Sequence, residues 1–88
     1  MMSEEAREAE RLEWMKVHLG TTDYATAARN IRKDRAGIST EQRPDGTWYA
    51  TYPHLEDTGF EGVGRTEDEA IVSAEIRAYW EGLADGYD

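Results

Sequence analysis

Thr66, Glu67, Asp68 and Glu69 place three carboxylates directly behind a hydroxyl, and glycine recurs just upstream at 59, 62 and 64. Two chemistries could use such a stretch. Grouped carboxylates do general acid-base work when a cleft holds their acidities apart, and glycine-rich turns cradle phosphate on backbone amides at a helix start. Neither pattern is met. The lysine of a phosphate loop is missing, and acids stand where a phosphate would sit. Thr66 followed three residues later by Glu69 reads instead as a capping box, with Glu67 and Asp68 adding negative charge to an exposed first helical turn. His18 and His54 are the only histidines, there is no cysteine, and neither histidine has a second nitrogen or sulfur ligand at metal spacing. Ser3, Ser39 and Ser73 lack a histidine-acid context for nucleophilic attack. The expectation is a non-enzyme with no metal and no cofactor.

The elements that hold these residues follow from period and punctuation. Ser3 with Glu4 and Glu5 marks a helix start. Leu12, Met15 and Leu19 form its apolar stripe, the pairs Glu4/Arg7, Glu8/Arg11 and Glu13/Lys16 stand three apart, and Gly20 ends it. A second, shorter helix starts after the caps Thr21 to Asp23, carries Tyr24, Ala27, Ala28 and Ile31 on one face, and stops at Gly37. The period then changes to two. Ile38 to Arg43 and Thr47 to Tyr52 read as a hairpin around Pro44-Asp45-Gly46, with Trp48, Ala50 and Tyr52 on one face and Tyr49 on the other. Pro53 closes the second strand, a loop follows, and a third strand is expected around Phe60 to Gly64. The predicted class is α+β: two N-terminal helices over residues 1–36, then a three-stranded antiparallel sheet with a C-terminal helix on one face over residues 37–88, in one domain.

The last helix is apolar on two flanks. Ala70, Ile71, Ala74 and Ala78 fall on one side of the wheel, and Val72, Ile76, Tyr79, Trp80 and Leu83 on nearly the opposite side. The small flank suits close contact with a sheet. The bulky flank needs a second cover, because leaving it in water forgoes several kcal/mol at about 25 cal/mol per Å². The N-terminal helices are the favoured cover, and a second protein or an identical subunit is the alternative. At least one of Trp14, Tyr49 and Trp80 is expected to remain exposed as an interface anchor.

The net charge of −9 is unevenly placed: residues 1–35 hold seven acids and seven bases, and residues 36–88 hold twelve acids and three bases. An acidic second part repels nucleic acid and membrane phosphate and attracts a basic protein surface, with Glu56, Asp57 and Glu61 as candidate contacts. No basic stretch followed by an apolar one stands near Met1, and no apolar run approaches the roughly 20 residues of a membrane helix, so a cytoplasmic location is expected.

The residues DGTWYATYPHL at 45–55 and GRTEDEAIVSAEIRAY at 64–79 resemble the HicB-type antitoxin domain, over about residues 38–83. That family shows an aromatic-Pro-Asp-Leu run, then Gly-Asp-Thr-x-Glu-Glu-Ala and an alanine-rich helix. Tyr52, Pro53, Leu55, Gly64, Thr66, Glu69 and Ala70 match, while His54 and Arg65 each stand where the family has an aspartate. The resemblance implies a sheet with a helix on one face, related to the double-stranded RNA-binding topology, and the task of inhibiting a small basic toxin ribonuclease. Two other readings stay open. Size and acidity also suit a phage-encoded, anti-CRISPR-like inhibitor of a host defence complex, and Arg29, Arg32, Lys33 and Arg35 could contact DNA phosphates as a basic helix.

Overall fold

The structure, a computed structural model, describes residues 4–53 and 61–80. Its elements are α1 (Glu4–Leu19), α2 (Tyr24–Asp34), β1 (Ser39–Gln42), β2 (Trp48–Thr51), β3 (Gly62–Gly64) and α3 (Glu67–Trp80). The three strands form one antiparallel sheet in the order β1-β2-β3, with Thr40 opposite Ala50 and Ala50 opposite Gly62. This is the α+β arrangement expected from the sequence. Ser3, residues 54–60, over which a loop and then Phe60 of the third strand are expected, and Leu83 lie outside the described residues.

Local chemistry sets the boundaries. Gly20 and Gly37 stop the first two helices at φ 72° and 80°, a conformation glycine adopts without strain. Asp23 caps α2, accepting from the Thr26 amide at 3.0 Å and the Thr26 hydroxyl at 2.6 Å. The hairpin closes as a three-residue loop, with the Gly46 amide donating to the Arg43 carbonyl at 2.8 Å and Gly46 at φ 88°. Asp45 completes the turn by accepting from the Thr47 amide at 2.9 Å.

α3 is the centre of the molecule, with the sheet on one flank and the N-terminal helices on the other. The sheet flank is built by close approach. A Cβ at Gly62 would lie 2.2 Å from the Ala74 nitrogen, and one at Gly64 would lie 2.5 Å from the Ala70 nitrogen. Only glycine lets the strand touch the helix backbone there, and Ala70, Ala74 and Ala78 keep the helix side equally thin. On the opposite flank Val72 is fully buried, and Tyr79 and Ile76 are partly buried, in one cluster with Trp14, Met15, Ala27, Ala28 and Ile31. The N-terminal helices therefore cover Val72 and Tyr79 of this flank, and Trp80 is left exposed.

Candidate protein-interaction surface

Two ion-pair clamps hold the N-terminal helices against α3. Arg35, at the end of α2, donates to Glu75 of α3 from Nε and Nη2, both at 3.2 Å. Glu75 is 3 % exposed and Arg35 half-buried, so the pair is a fork-to-fork contact on a buried carboxylate, spanning 40 positions of sequence. The second clamp gathers three helices. Arg11 of α1 lies 3.0 Å from Glu8, 3.1 Å from Glu69 of α3, and donates to the Tyr24 hydroxyl at 3.3 Å. Tyr24 in turn donates to Glu8 at 2.9 Å. Burial pushes the Tyr24 hydroxyl above its ordinary value, so it stays protonated as a donor. Burial works against the Arg11 charge, but the bond to Tyr24 and the Glu69 and Glu8 carboxylates outweigh it and hold Arg11 above its ordinary value.

The acids that open α3 are thus structural in a way the cap alone does not describe. Thr66 accepts from the Glu69 amide at 3.1 Å, as a capping threonine does. The Glu69 carboxylate reaches back not to Thr66 but to the Arg65 amide, at a long 3.5 Å, and its main partner is Arg11. Glu67 accepts from the Thr40 hydroxyl at 2.6 Å and pairs with Arg32 at 3.5 Å. The turn expected to be exposed carries tertiary contacts: Glu67 and Asp68 are half-buried and Glu69 is buried.

The three aromatic anchor candidates separate. Trp14 is 7 % exposed and belongs to the core, stacked on His18 at 4.6 Å and edge-on to Tyr79 at 5.6 Å, so it is not a surface anchor. Tyr49 points away from α3 as expected, but the Arg43 guanidinium lies 3.6 Å over its ring and occupies that face. Trp80 is 67 % exposed. Of the acidic candidates, Glu61 is exposed and pairs with Arg43 at 3.1 Å, whereas Glu56 and Asp57 lie outside the described residues. The basic cluster also divides. Arg35 is committed to Glu75 and Arg32 meets Glu67, while Arg29 and Lys33 are exposed.

Trp80 forms one wall of a cleft of about 460 Å³ between α1, β3 and α3. Arg7 and Glu10 line the α1 wall, Glu61 and Val63 the β3 wall, and Arg77 joins Trp80 on α3. Val63 and the cleft arginines were not singled out by sequence reading. Part of the signal was present: Arg7, Glu10, Arg11 and Trp14 share one helical stripe.

Among the described residues no group of three or more histidine, cysteine, aspartate or glutamate side chains could hold a metal ion, and no helix is long and apolar enough to cross a membrane. No protein-family model, curated protein or solved structure matches the chain.

Proposed function

We propose that the chain is a non-catalytic, cytoplasmic protein-binding module of the HicB-like antitoxin kind, which covers and silences a basic toxin ribonuclease. The observation that carries this reading is the disposition of charge. Arg11, Arg32, Arg35, Arg43 and Arg65 each pair with glutamates of the same chain, so half of the ten bases already sit beside an acid that neutralises them. What remains to be displayed is mostly the acidic excess of a −9 chain, and such a surface steers and orients a cationic partner. The fold is of the kind the resemblance implies, with α3 on one face of the sheet. Gly64, Thr66, Glu69 and Ala70, which carry the resemblance, serve the helix-sheet contact, the cap and the clamp.

The DNA-binding reading draws less support, because Arg35 and Arg32 are engaged with Glu75 and Glu67 and only Arg29 and Lys33 of the cluster project without an ion pair among the described residues. The test is capture of the partner from the native host, separation, and recombination. A small basic protein that cleaves RNA alone and is silenced on adding the chain back is the expected result. A captured partner that keeps full ribonuclease activity with the chain bound contradicts the antitoxin reading, and capture of a nucleic-acid-guided effector replaces it with the anti-CRISPR-like one.

A further inference from the structure

No further inference is drawn: the strongest candidate, the cleft that Trp80 walls between α1, β3 and α3, carries arginines and glutamates together, and nothing in the structure shows what covers it.

Discussion

The two flanks of α3 are buried by opposite means. Towards the sheet, glycine and alanine bring backbones into contact, and the fit is set by atoms that cannot move aside. Towards α1 and α2, larger side chains interdigitate and two half-buried ion-pair clamps fix the geometry. The first kind of contact tolerates no added atom, and the second tolerates repacking but not an unpartnered charge. The difference also shows in what each flank leaves exposed: Gly62 and Gly64 are buried against the helix, whereas Trp80 on the bulky flank is exposed beside a cleft.

Substitutions can break this contrast in order of size. Gly62→Ala forces a Cβ against the Ala74 backbone nitrogen and should cost about 3 kcal/mol or more, a large part of what a small domain has, read by urea denaturation. Glu75→Ala on the other flank removes the bidentate acceptor of the half-buried Arg35 and should cost about 2 kcal/mol. Replacing both members together, Arg35→Met with Glu75→Leu, should return most of that loss, because an apolar pair needs no compensation. No such rescue is available at Gly62, where the obstacle is backbone. Thr66→Ala should cost about 1 kcal/mol by removing the acceptor for the Glu69 amide.

The smallest effects are those of exposed groups. Asp23 is held below its ordinary value of 3.8 by the Thr26 hydroxyl and amide, and Asp45 by the Thr47 amide and hydroxyl. Both folded values are depressed, so their contribution is complete above pH 3.8 and is lost as pH falls through the lowered values. Acid unfolding monitored by circular dichroism should therefore be shallower below that pH in Asp23→Asn and Asp45→Asn than in the parent, the first acting on α2 and the second on the hairpin. Trp80→Ala should change the stability of the dilute chain by no more than about 0.5 kcal/mol.

Much of the fold was legible because it is written locally. Caps, stops and the switch of period from helix to strand fix the element order, and the wheel of α3 separates its alanines from its bulky residues without reference to anything distant. The two clamps were not legible. Arg35 and Glu75 stand 40 positions apart, and nothing in a one-dimensional pattern pairs one arginine with one glutamate among nineteen acids. The burial of Trp14 was not legible for a related reason. The stripe Leu12, Met15 and Leu19 describes a helix buried on one side, but α1 also presents Trp14 to Tyr79, which widens the buried face. The acids of Glu67 to Glu69 were legible as first-turn charge and not as tertiary partners, since their donors Thr40, Arg32 and Arg11 come from elements far along the chain.

The enclosure of α3 by its own N-terminal helices is tested most directly by nuclear magnetic resonance of the isotope-labelled full chain at a concentration where it is monomeric. Cross-relaxation between the Trp14 and Tyr79 rings, 5.6 Å apart, should appear there, with methyl protons of Val72 shifted by the surrounding cluster. A dilute monomer in which Trp14 and Tyr79 share no cross-peak, and in which the Val72 methyls resonate at solvent-exposed positions, would contradict it.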